Sequence, residues 1–242
     1  MGDDSTADLF PAVHAVLTDL PDTLLDILDA DLSTWETPLR HGRLREYQPR
    51  EQVFRQGEDF SSVYIVESGR VRVSVCHADG QEKTLYVADT GAMIGESDCI
   101  LGQPYSSTAT VVLPSRVRAV PSALVQELFH ADPVFADWLL QYQARKVRLL
   151  LGQNMTLSFD RARQRVAKTL LYLCGQYGRQ KEDGIWLTNR FTCSDVAGIT
   201  NVSRVSVNLI FREWEEAGIL TRAHGRCCIR SPEELRRLAE PD

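Results

Sequence analysis

The hydrophobic positions of the chain change their period twice, and each change marks a boundary. Between Arg40 and Ser122 apolar residues alternate with polar ones, at Val63 and Ile65 and again at Val71, Val73 and Val75, with Gly57, Gly69, Gly80, Gly91 and Gly95 at the breaks. Residues two apart share a strand face, so short alternating runs between glycine turns predict antiparallel strands. Asp79-Gly80 falls between Val71–Val75 and Lys83–Val87, where a tight hairpin places it. Several strands at this spacing predict a small β-barrel or jelly roll. Past Ser122 the period becomes helical as far as Leu157. Phe135, Leu139, Tyr142, Lys146 and Leu149 recur at intervals of four and three, which suits a seam between two helices or one helix lying on its own barrel. Upstream, Leu9 to Leu39 reads as short helices, with Leu24, Leu25, Ile27 and Leu28 as an apolar face and Trp35 as a core anchor.

Phe159 to Arg161 reads as a hinge and Arg165 to Tyr177 as a helix. Phe191 to Gly218 then breaks into two short helical patterns around a bend at Thr200-Asn201-Val202. Val207, Ile210, Phe211 and Trp214 mark one buried face of the second helix. Thr192 and Ser203 stand at N-cap positions, where a side-chain oxygen satisfies free first-turn amides. Asn201 tolerates a left-handed bend, and Gly218 suits the stop. Two helices so joined predict a helix-turn-helix whose second helix lies in the DNA major groove. Ile219 to Arg222 and Cys227 to Ile229 follow as a two-stranded wing around Ala223-His224-Gly225-Arg226, and Ser231-Pro232-Glu233-Glu234 opens a last, capped helix. The fold class expected is α+β: an N-terminal helical segment over 1–39, a sensing barrel over 40–122, a long helix over 123–158 and a winged helix-turn-helix over 159–242.

Composition alters this little. The 242 residues, 43% hydrophobic and 25% charged, are ordinary for a globular protein of one or two domains. No apolar run approaches the roughly 18 residues of a membrane span, and the acidic N-terminus is no secretory signal, so a cytoplasmic protein without membrane contacts is expected. Cys76, Cys99, Cys174, Cys193, Cys227 and Cys228 show no CxxC spacing and predict reduced, mostly buried thiols. Charge adds more. From Asp160 to Arg230 stand 12 Lys and Arg against 7 Asp and Glu, while the remainder carries 15 against 26. A basic C-terminal part on an acidic body is a DNA-binding footprint despite the net charge of -6. No Ser/His/Asp, paired-carboxylate or zinc spacing is legible, which argues against an enzyme and a bound metal.

The runs Arg165-Val166-Ala167-Lys168-Thr169-Leu170-Leu171, Ser203-Arg204-Val205-Ser206-Val207 and Gly218-Ile219-Leu220 resemble the winged-helix domain of the cyclic-AMP receptor protein / fumarate-nitrate regulator family. Phe54-Arg55-Gln56-Gly57-Glu58, Tyr64 to Val71 and Met93-Ile94-Gly95-Glu96 look like the same family's effector-binding barrel, so the resemblance spans roughly residues 40 to 230. It implies a homodimer joined along the long helix, double-stranded DNA and RNA polymerase as partners, and DNA contacts from Ser203, Arg204, Val205, Ser206, Asn208, Arg190 and Arg222. The family's common recognition helix carries a glutamate and a second arginine where Val205 and Leu209 stand here. Val205 suits a thymine methyl and Asn208 pairs with adenine N6 and N7, so an inverted repeat with A·T-rich half-sites is expected.

The effector is read residue by residue. The family's cyclic-nucleotide cassette places an Arg-Ser/Thr pair where Ser106-Ser107 stand, and the base-edge positions are Leu150 and Leu151, so cyclic AMP is not expected. An iron-sulfur cluster needs cysteines near the N-terminus, and the first here is Cys76. Haem could use Cys76-His77 and Met93, but a core thiol beside an exposed histidine is the plainer reading. What remains is a small organic effector. Asp79 to Tyr86 with Lys146-Val147 resembles the chlorophenol-responsive branch of the family, which implies that Lys146 and Tyr86 hold an aromatic phenolate, with Gly95, Glu96 and Leu150 around them. A buried ammonium favours an ionised phenol. That branch's second tyrosine is Gln143 here and its glycine-lysine is Gly95-Glu96. A regulator without an effector, or a haem-based one, is the alternative.

Overall fold

The computed structural model describes residues 27–188, 191–223 and 226–240. Leu24 and Leu25, Arg190 and the wing-tip pair His224-Gly225 lie outside the described residues. In chain order the elements are β1 (Ile27–Leu28), α1 (Glu36–His41), β2 (Arg43–Tyr47), β3 (Gln52–Phe54), β4 (Ser62–Cys76), β5 (Glu82–Ala88), β6 (Met93–Ile94), α2 (Glu96–Leu101), β7 (Thr108–Pro121), α3 (Ser122–Ala131), α4 (Pro133–Phe159), α5 (Ala162–Tyr177), β8 (Gly178–Lys181), β9 (Gly184–Leu187), α6 (Cys193–Thr200), α7 (Arg204–Glu216), β10 (Leu220–Ala223), β11 (Arg226–Ile229) and α8 (Pro232–Ala239).

The alternating stretch forms the expected sheet, ordered β1-β5-β4-β7-β2 with β3 on β7 and β6 on β4. The β4–β5 hairpin pairs Val71 with Ala88 through Cys76 with Glu82, as Asp79-Gly80 demands. Its alternate side chains fill a core with Phe54, Tyr64 and Tyr105, the first and last stacked at 4.2 Å. The N-terminal reading needs correction at Ile27 and Leu28, which run parallel to Val87 and Ala88 as a strand, not on a helix. The open edge of β5 offers ladder partners that a helix would leave unpaired. Trp35 is the anchor expected, fully buried and donating from Nε1 to the Gly91 carbonyl at 2.7 Å. Cys76, expected in a core, is exposed at the hairpin end of β4, its backbone bonded to the Gln56 side chain.

Asp132 caps α4 by accepting from the Val134 and Phe135 amides, and Pro133 occupies a position whose amide would lack a partner. Of the two readings of its stripe, helix on barrel holds. Phe135, Leu139 and Tyr142 pack with Trp35, Val63, Ile65 and Met93, and Leu149 reaches the barrel interior.

The C-terminal domain folds as its local signals dictate. Thr192 caps α6 in a reciprocal box with Asp195, Asn201 takes φ 51°, Ser203 caps α7 through the Ser206 amide, and Gly218 stops it at φ 72°. Ser231, however, makes no side-chain cap on α8. Val207, Ile210, Phe211 and Trp214 seat α7 on Val166, Leu170, Val196 and Ile199, each buried chain contributing about 1.5–3 kcal/mol. The sheet β10-β11-β9-β8 backs them.

This domain docks on the barrel. Val87 enters its core, Lys83 Nζ donates to the Ile199 carbonyl at 2.6 Å, and Arg165 donates to the Thr200 carbonyl at 2.9 Å. Two cations thus meet the carbonyl end of α6, where the helix dipole is negative. Arg70 reaches from β4 to Asp89 and the Tyr177 hydroxyl. Burial, with the Arg165 charge adding, pulls the Lys83 ammonium down to about 8 from 10.5. Between those values the unfolded chain binds more protons, so this group's contribution to stability rises with pH there. Thermal unfolding from about pH 7.5 to about 9.5 should therefore show wild-type protein gaining stability relative to Lys83→Met. Identical pH profiles for the two would mean that Lys83 sits in water.

Candidate effector site and DNA-reading face

Of the residues the sequence suggests for an effector, Tyr86, Gly95, Glu96 and Lys146 come together where α4 crosses the barrel. Gly95 ends β6 at φ 81°, a left-handed turn, and a Cβ there would meet the Tyr105 ring at 3.1 Å. The turn sends Glu96 inward as the first residue of α2, fully buried. From α4, Lys146 Nζ donates to Glu96 Oε1 at 2.5 Å, to Tyr86 Oη at 2.9 Å and to the Met93 carbonyl at 3.4 Å. Gln143 donates to the same Glu96 oxygen at 2.9 Å. The ammonium also faces the rings of Tyr86 and Tyr142, at 4.7 and 5.1 Å from their centroids. Burial pushes the Tyr86 phenol well above its ordinary range, and Glu96 and Asp98 push it further. Burial likewise raises Cys99 to about 11, with Glu96 adding.

Glu96 Oε2 is buried without a hydrogen-bond partner. A bare carboxylate oxygen in the interior is costly. Leu150 is a correction: it stands 42% exposed on the outer face of α4, while Leu149 turns to the barrel. Helix geometry separates neighbours by about 100°, so only one of that pair reaches the site. Ser106, at the phosphate-arginine position, is exposed. The haem candidates do not share an environment, since Cys76 is exposed and Met93 fully buried. Among the described residues no cluster of three metal-ligating side chains occurs, and no helix is long and apolar enough to cross a membrane.

On the other domain, α7 turns its free face outward. Arg204, Val205 and Leu209 are exposed, Val205 by 71%. Ser203 and Ser206 are bonded to each other at the helix start. Thr192, Cys193 and Ser194 of α6 meet Arg204, Val205 and Asn208 around a shallow groove. Asn208 is half-buried, and its Oδ1 accepts from Arg222 Nη1 at 3.3 Å. Arg222, expected among the DNA contacts, is held by Glu215. Glu213 and Arg163 pair across α7 and α5. The sequence offered no spacing that would have paired Arg222 with Glu215 and Asn208.

Removing one partner of a buried pair strands a charge and costs about 3–5 kcal/mol, whereas replacing both with apolar groups is often neutral. Glu96→Leu alone should therefore lower the unfolding free energy by about that amount, and Glu96→Leu with Lys146→Met should recover most of it. Additive losses in denaturant titrations would mean that the two do not interact.

Residues 44–132 match the cyclic nucleotide-binding domain, and residues 164–238 match the Crp-like helix-turn-helix domain. The chain is 28% identical over 182 residues to the CRP-like cAMP-activated global transcriptional regulator of Mycobacterium tuberculosis, covering 75% of this chain and 81% of that one. It is 27% identical over 201 residues to the cyclic AMP receptor protein of Thermus thermophilus, covering 83% and 90%. Among solved structures it resembles the c-di-GMP responsive regulator CLP of Xanthomonas campestris (TM-score 0.74, 21% identity, 82% and 99% covered) and CprK complexed with OCPA (0.63, 20%, 84% and 92%). At these identities the structural likenesses establish the fold alone, so the chlorophenol-responsive branch is not assigned. With the sensor domain and the helix-turn-helix domain in this order, the chain belongs to the CRP/FNR family of DNA-binding transcription regulators, a family of regulators and not of enzymes.

Proposed function

We propose that this regulator works as a homodimer joined along the outer face of α4, and that its effector is a hydroxyl-bearing aromatic, such as a phenol in its neutral form, and not cyclic AMP. The dimer rests on a second stripe. Leu140, Ala144, Val147, Leu151, Asn154 and Ser158 are all exposed and follow intervals of four and three over three turns and more. That is the period of a two-helix seam, and a polar residue at one seam position fixes register. Two copies would set two recognition helices against successive major grooves.

The observation that carries the effector reading is the partnerless Glu96 Oε2 beside a Lys146 already ion-paired to Oε1. A phenolate would bring a second anion to one ammonium, whereas a neutral hydroxyl donates to the bare oxygen and relieves it. The sequence pattern favours the ionised form because no spacing in it pairs Glu96 with Lys146. A second reading has its own support: the Lys146–Glu96 pair already ties helix to barrel without any ligand, as an effector-independent regulator requires. DNA targets are proposed as inverted repeats with A·T-rich half-sites, read by Val205 and Asn208.

Calorimetric titration should give no binding of cyclic AMP, and should give binding of simple phenols at pH values below their pKa that fades above it. Micromolar cyclic-AMP binding coupled to operator affinity would overturn the effector reading, and operator affinity indifferent to every phenol would favour the effector-independent one. Leu140→Glu with Val147→Glu should sediment as a monomer and bind the operator about 100-fold or more weaker, since the second half-site loses its effective concentration. A dimer persisting in that variant would place the interface elsewhere.

A further inference from the structure

The wing arginine has little left with which to hold a phosphate. Arg222 lies on β10, and its guanidinium faces inward across α7. Nε donates to Glu215 Oε1 at 2.9 Å and Nη2 to Glu215 Oε2 at 2.6 Å, a two-bond fork on one carboxylate. The Arg222 amide also donates to Glu215 Oε1, at 3.1 Å. The guanidinium carbon stands 5.3 Å from the centroid of the Phe211 ring, in the buried face of α7. Nη1, the remaining donor nitrogen, reaches Asn208 Oδ1 at 3.3 Å and Cys193 Sγ at 3.5 Å. Three elements, the wing, the recognition helix and α6, therefore meet on one planar group.

We propose that Arg222 is a positioning residue for base readout, which fixes the side-chain amide of Asn208 so that one orientation alone is presented to the major groove. An asparagine amide has two nearly isosteric ends, an acceptor oxygen and a donor nitrogen. Free in solvent, it presents either, and discrimination between bases at that step is lost. The Arg222 guanidinium is always a donor, so it selects Oδ1 for the wing side and leaves Nδ2 on the other. One lone pair of Oδ1 remains for the adenine N6 amino group, while Nδ2 donates to N7. Glu215 holds the guanidinium in place, and its carboxyl sits below the usual carboxylate range chiefly through its bond from Arg222. A lysine at 222 would keep the charge but lose the planar fork that reaches Glu215 and Asn208 together.

The proposal rests on the reading of Asn208 as a base contact, and the experiment separates the two. The full-length protein and its Arg222→Lys, Arg222→Ala, Glu215→Gln and Asn208→Ala variants are each put through selection from random duplexes, and salt dependence is measured on the enriched site. The readout is a ratio among sequences within one sample, which a partly unfolded population does not change. Wild-type protein should prefer adenine about tenfold at one position of each half-site. Arg222→Lys and Asn208→Ala should both lose that preference at the same position only, Glu215→Gln should weaken it, and the salt slope of Arg222→Lys should match wild type. Preference retained in Arg222→Lys but lost in Asn208→Ala would overturn the positioning role and leave the base contact standing. Preference retained in Asn208→Ala would overturn the base contact and the positioning role with it. An Arg222→Ala protein whose affinity falls evenly over all sequences, with a salt slope smaller by about one phosphate contact, would make Arg222 a phosphate grip and overturn the proposal.

Discussion

The contact on which the rest depends is the buried ion pair between Lys146 and Glu96. It joins the middle of the long helix to the Gly95 turn of the barrel, within the residues that match the cyclic nucleotide-binding domain. Paired and with its ammonium flanked by two tyrosine rings, Lys146 is tolerated in the interior; unpaired it is not. Because α4 also bears the exposed stripe proposed as the dimer seam and leads straight into α5, Lys146 stands on the element that would connect the barrel to that seam and to the DNA domain. A ligand that alters the pair has a differential interaction with two arrangements of that helix, which is the physical requirement for a switch.

The DNA domain is tied to the barrel by a different chemistry. Lys83 of β5 donates to the Ile199 carbonyl at the end of α6, and Arg70 of β4 bridges Asp89 and Tyr177. These bonds involve charged donors and few apolar contacts, Val87 being the main one. Polar docking of this kind is exchangeable with water and leaves the domain able to move as a body, whereas α7 within it is held by a continuous apolar core.

How much was legible in the sequence follows the range of the interactions. The helix-turn-helix was legible because Thr192, Asn201, Ser203 and Gly218 act on their own turns. The barrel was legible because alternation is a property of neighbours two apart. Ile27 and Leu28 were misjudged because a two-residue strand carries no period, and only the open edge of β5 makes it one. Lys146 and Tyr86, named together through family likeness, stand in contact, whereas Leu150 lies on the outer face, since which of two adjacent leucines faces the barrel is decided by the packing of the whole helix. The bonds of Arg222 to Glu215 and Asn208 and of Lys83 to Ile199 leave no spacing signature, because they join residues that only the finished fold brings together.

The central claim is that the state of the Lys146–Glu96 pair is transmitted to DNA. Operator affinity measured for wild type, Lys146→Met, Glu96→Gln and the double variant tests it most directly, with each protein first verified as a folded dimer. Either single change should shift operator affinity several-fold, and the double variant should depart clearly from the sum of the two. Single variants that remain folded dimers and bind the operator as wild type does would contradict it.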